Sequence, residues 1–189
     1  MEFSSAKDEV SAGTAVRPSG ADAAKAGGVY TVVCHDANGN LKWSDSFHNL
    51  VVNQGLQDMN SKYFSGSGYT AGWYLGLVTG PGSGTSFAAA DTLASHAGWT
   101  ENTNYTGNRK AATFGTATTA DPSVINNSSS PAVFTMNANA QTIAGAFLCS
   151  VSSGTSGILF SAGDFTGGDK FVDSGDTLTV TYTFSLDAA

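Results

Sequence analysis

The sequence has few basic residues. Eight Lys and Arg stand against 15 Asp and Glu in 189 residues, which gives a formal net charge of −7. After Ala111 the one basic residue is Lys170, whereas six aspartates occur in the same stretch. Proteins that bind nucleic acid take much of their affinity from Lys and Arg that neutralise phosphates. This scarcity argues against direct nucleic-acid binding.

Long apolar runs are also lacking. No stretch approaches the length of a membrane-spanning helix. Residues 1–28, which begin with Met1, contain no apolar segment of the kind that a secretory signal needs. We therefore expect no membrane partner and a protein that is made and folds in a cytoplasm.

Cysteine is scarce as well. Cys34 and Cys149 each lie in an apolar, strand-like segment. This setting favours two buried free thiols, which behave as small apolar side chains. A disulfide, which would tie the first strand to a late one, is the alternative.

Charged residues make up only 12% of the chain, about half the usual share. Thr, Ser, Asn and 23 glycines supply the polarity instead, a composition that suits strands and turns. Between Thr177 and Phe184 every second residue is apolar and every other one is Thr. Because successive side chains of a strand point to opposite faces, this pattern predicts a strand with one buried face and an all-β fold.

Shorter signals fill in the architecture. An Asn-Gly pair at residues 38–39 predicts a type I′ hairpin over residues 29–48. Apolar residues at three- and four-residue steps predict one helix up to Phe64, with Asn53 as its N-cap. Residues 88–95 are a candidate for a short second helix. Turn signals about every ten residues then favour an antiparallel β-sandwich or barrel of eight to ten short strands.

The first 28 residues differ from the rest. They are rich in Ala, Gly and Ser, with isolated apolar residues at Phe3, Val10 and Val16. Such a segment buries too little surface to offset its ordering entropy by itself. We therefore predict an extended or flexible N-terminal arm over residues 1–28 and a β-sandwich domain over residues 29–189.

Catalytic signatures are missing. No Gly-x-Ser-x-Gly motif occurs, and the glycine-rich residues 80–84 lack the lysine of a phosphate-binding loop. The one Glu after residue 9 is Glu101. A hydrolase would need Glu101 or Asp91 close to a second carboxylate. The sequence therefore predicts a protein without catalytic or cofactor-binding residues, with a hydrolase as an alternative.

Metal binding is not expected either. The three histidines, His35, His48 and His96, have no spacing that would direct two of them towards one metal ion. An acidic run with interleaved glycines consists of Asp164, Asp169, Asp173 and Asp176. Aspartate beside glycine is ordinary turn chemistry, although oxygen ligands of this kind also bind calcium. We predict turns and no cofactor, and the calcium alternative stays open.

Aromatic residues offer a different function. Trp43, Trp73 and Trp99, together with six tyrosines, could form a platform on which sugars stack. Trp73 lies in an apolar segment and is expected in the core, whereas Trp43 and Trp99 have polar neighbours. A carbohydrate-binding or tail-appendage module is therefore the alternative to a structural protein.

A further signal is carried by several segments, taken in their order: residues 39–43, 47–56, 72–77, 89–101, 130–137, 143–148, 167–170 and 175–184. They cover most of residues 29–186, and none carries a catalytic signature. Together they resemble a family of small virion proteins of tailed bacteriophages.

This resemblance implies a capsid decoration or cement protein with a jelly-roll β-sandwich. Such a protein lies on the exterior of the virion capsid and fastens neighbouring subunits of the major capsid protein. We expect a homo-oligomer at a capsid symmetry axis. In the arm, the candidate capsid contacts are Phe3, Val10 and Val16 as apolar residues and Arg17 as a polar one.

Overall fold

The computed structural model describes residues 24–68, 72–80 and 86–188. Within these ranges two antiparallel sheets pack against each other, and one helix lies beside them. The helix is α1 (Asn53–Phe64). The strands are β1 (Ala24–His35), β2 (Leu41–His48), β3 (Leu50–Val51), β4 (Tyr74–Thr79), β5 (Thr100–Asn102), β6 (Lys110–Ala111), β7 (Ser123–Asn126), β8 (Ala132–Thr135), β9 (Gln141–Cys149), β10 (Leu159–Asp164), β11 (Lys170–Val172) and β12 (Thr177–Ala188).

The first sheet is built around the alternating C-terminal strand. Its order is β2-β1-β12, and β7 and β8 pair with the other edge of β12. β1 and β12 pair along their whole length, from Ala24 opposite Ala188 to His35 opposite Thr177. Leu178, Val180 and Tyr182 are fully buried. The predicted inward face of this strand is therefore confirmed.

The second sheet has the order β3-β10-β9-β4-β5, with β11 on β9 and β6 on β4. Its central strand β9 is buried on both faces, because the first sheet covers one face and residues 86–99 cover the other. Leu93 and Trp99 of that covering segment pack with Phe147 of β9. Gly76 of β4 leaves space for the Phe147 ring, which a Cβ at this position would overlap.

The predicted all-β antiparallel sandwich with one helix is confirmed. The main core lies between the two sheets and includes Tyr30, Leu75 and Phe134. The jelly-roll topology stays a prediction. No helix in the described ranges is both long enough and apolar enough to cross a membrane.

The structure describes the last five residues of the predicted arm. Residues 24–28 lie in strand β1, opposite residues 184–188 of β12. The Ala-Lys-Ala-Gly-Gly sequence has little strand preference of its own, and the long partner strand β12 overrides it. The predicted capsid contacts Phe3, Val10, Val16 and Arg17 lie outside the described residues.

Three local predictions are corrected. The β1–β2 hairpin exists, but its turn is not type I′, because only Gly39 of the Asn-Gly pair has a positive φ. Instead, the Asp36 carboxylate accepts hydrogen bonds from the Asn38 and Asn40 N–H groups. Residues 88–95 form turns instead of a helix. Helix α1 has Val52 as its N-cap, without a side-chain capping bond, in place of Asn53.

Candidate functional site

Helix α1 packs on the sandwich through its small and polar face. Gly55 and Asp58 are its buried residues. A Cβ on Gly55 would lie 2.5 Å from the Phe160 carbonyl oxygen, so this glycine permits the close approach of the helix to β10. Met59 is half-buried against the core, but the other large apolar side chains of the helix are left outside, with Tyr63 83% exposed and Phe64 79% exposed. Most of its apolar surface therefore faces away from the sandwich, unlike that of a usual amphipathic surface helix.

The outward apolar face of α1 forms one wall of an open cavity of about 950 Å³, which we call the groove. Leu56, Met59 and Tyr63 line it from the helix. Phe160 and Phe184 line it from the two sheets. The groove is therefore the open end of the sandwich, where inward-facing side chains of both sheets stay accessible.

The sequence of β1 explains why the sandwich is open at this end. Two inward positions of β1 that line the groove are Ala24 and Ala26. Further along the same face the side chains become large, with Tyr30 and then Val32 fully buried in the core. Protein interiors are normally packed without large voids. The small residues at the start of β1 therefore leave a volume that the described part of the chain does not fill.

A buried polar chain closes the inner end of the groove. The Tyr30 hydroxyl lies 2.7 Å from Ser161 Oγ, and Asn49 donates to the Tyr182 hydroxyl at 2.9 Å. Ser161 Oγ donates to the same Tyr182 hydroxyl at 3.4 Å. Burial raises the pKa of both tyrosines, since it disfavours the phenolate. Both phenols therefore stay neutral and link the two sheets.

Two exposed apolar residues lie near the opposite end of β1, and we call this pair the turn-end patch. Leu41 pairs with His35, and the Phe171 carbonyl oxygen accepts a hydrogen bond from Trp43 Nε1 at 3.3 Å. Phe171 is 72% exposed and Leu41 63%. The 12 residues of β1 separate this patch from the groove, a span of roughly 37 Å at the rise of a strand.

The two carboxylates considered for a hydrolase are held in structural contacts. Glu101 accepts two hydrogen bonds from Arg109, at 2.8 Å from Nε and 2.7 Å from Nη2. Asp91 accepts the Trp99 indole N–H at 3.0 Å and the Ala88 backbone N–H at 3.0 Å. Glu101 therefore fastens the loop of Arg109 to β5, and Asp91 joins the two ends of residues 88–99.

Two aspartates of the acidic run make structural contacts with other parts of the chain. Lys42 Nζ lies 2.6 Å from the Asp176 carboxylate and 3.5 Å from that of Asp173. The Ala140 N–H donates to Asp173 and lowers the pKa of that carboxyl. In the part of the chain that the structure describes, no three His, Cys, Asp or Glu side chains are grouped to hold a metal ion.

The three tryptophans do not share one exposed surface. Trp99 is buried and stacks on His96, with ring centroids 3.9 Å apart. Trp73 packs edge-on against Phe160 beside the groove. Trp43 packs in the same way against Phe165. The sequence left Trp99 open as a sugar contact, and its burial removes it from any such surface.

Both cysteines are free and buried, as predicted. They belong to different apolar clusters, Cys34 between the sheets and Cys149 on the outer face of the second sheet. Burial raises the pKa of Cys34 to about 12 and also raises that of Cys149. The thiols are therefore protonated packing groups at neutral pH.

Sequence reasoning missed the groove, although it identified the helix and the final strand that form two of its walls. The available signal was the pairing of an apolar helix face with small residues at the start of β1. In comparisons with known proteins, no family model, no curated protein and no solved structure matches the chain.

Proposed function

We propose that this chain is a non-enzymatic structural protein of a tailed-bacteriophage virion. It binds the exterior of the capsid and fastens neighbouring subunits of the major capsid protein, as a homo-oligomer at a symmetry axis. The resemblance of its segments to small phage virion proteins supports this class of protein. It would be made in the bacterial host cytoplasm and need no cofactor.

The observation that carries the proposal is the presence of two separate apolar surfaces on one rigid sandwich. The groove and the turn-end patch lie near opposite ends of β1. Large exposed apolar side chains are candidate sites of protein contact. A protein that bridges two subunits needs at least two such surfaces held at a fixed distance, and the continuous β1–β12 pairing supplies that rigidity.

The arm adds a third contact in this proposal. Phe3, Val10 and Val16 would bind apolar sites on a neighbouring capsid subunit, and Arg17 would bind a polar one. A segment that orders on its partner covers a large area for its length, at the cost of its ordering entropy. Repetition over the shell would then make many modest contacts effective together.

The assignment is tested on purified particles of a phage that encodes this chain. Mass spectrometry and electron cryomicroscopy are expected to find it in repeated copies on the outer surface of the head. A photocrosslinking residue at position 10 or 16 is expected to join it to the major capsid protein. Absence from the particles, or presence only in tails, contradicts the proposal.

A matched pair of variants tests the turn-end patch. Phe171→Ser removes a ring that is 72% exposed, and Val133→Ser changes another exposed apolar residue, in β8. We expect particles with Phe171→Ser to shed the protein at a lower temperature and to lose osmotic resistance at the same time. Particles with Val133→Ser should behave like the parent, and equal shedding by both variants would remove the patch from the interface.

A further inference from the structure

No described residue covers the apolar groove. The groove lies where the described part of the chain begins, and this position indicates which segment could cover it. Ala24, the first described residue, lines the groove together with Ala26. β1 runs from this point towards the turn at Asp36, so the described part of the chain begins at the groove. Residues 1–23 precede Ala24 in the sequence and are joined to the sandwich at that point.

We infer that residues 1–23 cover the groove of their own molecule in the free protein. The segment has three apolar side chains to place there: Phe3, Val10 and Val16. Val16 is eight residues from Ala24 and can reach at most roughly 29 Å, which spans a cavity of about 950 Å³. Phe3 has a longer reach, so the three side chains can enter the groove at different depths.

The tether favours the same molecule over a second copy. A short flexible connection keeps a segment at an effective concentration in the millimolar range. A second copy at micromolar concentration would compete at a large disadvantage. The groove also suits apolar side chains, because its walls include Leu56, Met59 and Phe184, and covering them removes apolar surface from water.

This inference extends the proposed function, because the arm would be stored on its own sandwich until a capsid subunit binds it. It concerns the free chain only and does not require attachment to a virion. The two proposals can therefore fail separately, one in solution and the other on particles.

The test is a cross-linking experiment on the full-length chain with two introduced cysteines. Val16→Cys is combined with Asn60→Cys, an exposed groove position on α1, and treated with a short bis-maleimide. The matched control combines Val16→Cys with Asp187→Cys, an exposed position opposite Lys25 that does not line the groove. The native thiols Cys34 and Cys149 are buried, so they should not compete.

We expect an intramolecular product of monomer mass from the Asn60 pair and little from the Asp187 pair. Residue 16 can reach both positions, because Asp187 pairs with Lys25 at the start of β1, so the difference reports binding in the groove. A product of dimer mass would overturn the inference in favour of a second copy. Equal yields from both pairs would overturn it in favour of a segment that does not bind the groove.

A second measurement starts from a variant that changes only residues outside the described part of the chain. The triple variant Phe3→Ser, Val10→Ser and Val16→Ser should expose the groove and raise the fluorescence of a dye that binds apolar surface several-fold. Adding Leu56→Ser and Tyr63→Ser should lower the signal again, since both residues line the groove. Unchanged dye binding by the triple variant would contradict the inference, provided that its circular dichroism matches the parent.

Discussion

The Tyr30 hydroxyl of the first sheet lies 2.7 Å from Ser161 Oγ of the second sheet, in a part of the core where both residues are fully buried. The same hydroxyl also donates to the Ser161 carbonyl oxygen at 3.2 Å. The Tyr30 ring stands 4.6 Å from that of Tyr182, which lines the groove. This polar contact therefore joins the two sheets directly behind the open end of the sandwich.

Removing this contact should destabilise the fold. We expect Tyr30→Phe and Ser161→Ala each to lower the free energy of unfolding by about 1–2 kcal/mol, because each leaves a buried polar partner with one bond fewer. The double variant should lose less than the sum of the two, as residues in direct contact do. Urea unfolding measures all three, with Tyr63→Phe, an exposed phenol, as the control. Strict additivity would show that the two hydroxyls do not interact.

Gly55 determines how closely helix α1 approaches the sandwich. Gly→Ala in a helix interior normally adds stability of about 1 kcal/mol. Here we expect Gly55→Ala to destabilise by roughly 1–3 kcal/mol, because the new methyl group would press on the Phe160 carbonyl. Gln57→Ala, at an exposed position of the same helix, should have a small effect. A Gly55→Ala protein as stable as the parent would contradict the close packing.

The role of Gly55 also shows what the sequence could predict. The apolar spacing of Leu56, Met59 and Tyr63 identified the helix correctly, because periodicity reports local structure. The same rule would turn that whole face towards the core. A side chain at position 55 would overlap the Phe160 carbonyl group, and spacing along the chain does not report a tertiary contact of this kind. Periodicity alone therefore did not predict the groove.

The strands also could be predicted only where their sequence pattern is clear. β12 was predicted well, because one buried face produces a strict alternation. β7, whose four residues are all half-buried, was missed because it has no such contrast. The sequence of residues 88–95 indicates a candidate helix, but the Asp91 carboxylate accepts hydrogen bonds from the Ala88 N–H and from the Trp99 indole N–H. Such side-chain bonds to the backbone compete with helix formation.

The ion pair of Glu101 and Arg109 provides another test of a structural role. Arg109 is buried and its two nitrogens bond to both oxygens of Glu101. Glu101→Gln should lower the free energy of unfolding by roughly 3 kcal/mol, because it leaves a buried charge without its partner. Replacing both residues, with Glu101→Gln and Arg109→Met, should recover part of that loss. Denaturant unfolding distinguishes this result from two independent losses.

The buried thiols predict a loss of stability at alkaline pH. The pKa of Cys34 is about 12 in the folded protein, against a usual value of 9.0, so between these values the unfolded chain releases a proton that the folded chain keeps. The unfolded state then binds fewer protons, and stability falls as pH rises. This contribution is fully present below pH 9 and is lost on approach to pH 12.

Cys34→Ala isolates this contribution from that of the tyrosines, whose usual pKa of 10.0 lies higher. We expect the free energy of unfolding of the parent to decline between pH 9 and pH 10. The decline should be shallower in Cys34→Ala, because only Cys149 then titrates as a buried thiol. The comparison uses the slope with pH, since the smaller side chain lowers stability at every pH. Parallel curves for the two proteins would mean that Cys34 is not protected in the folded state.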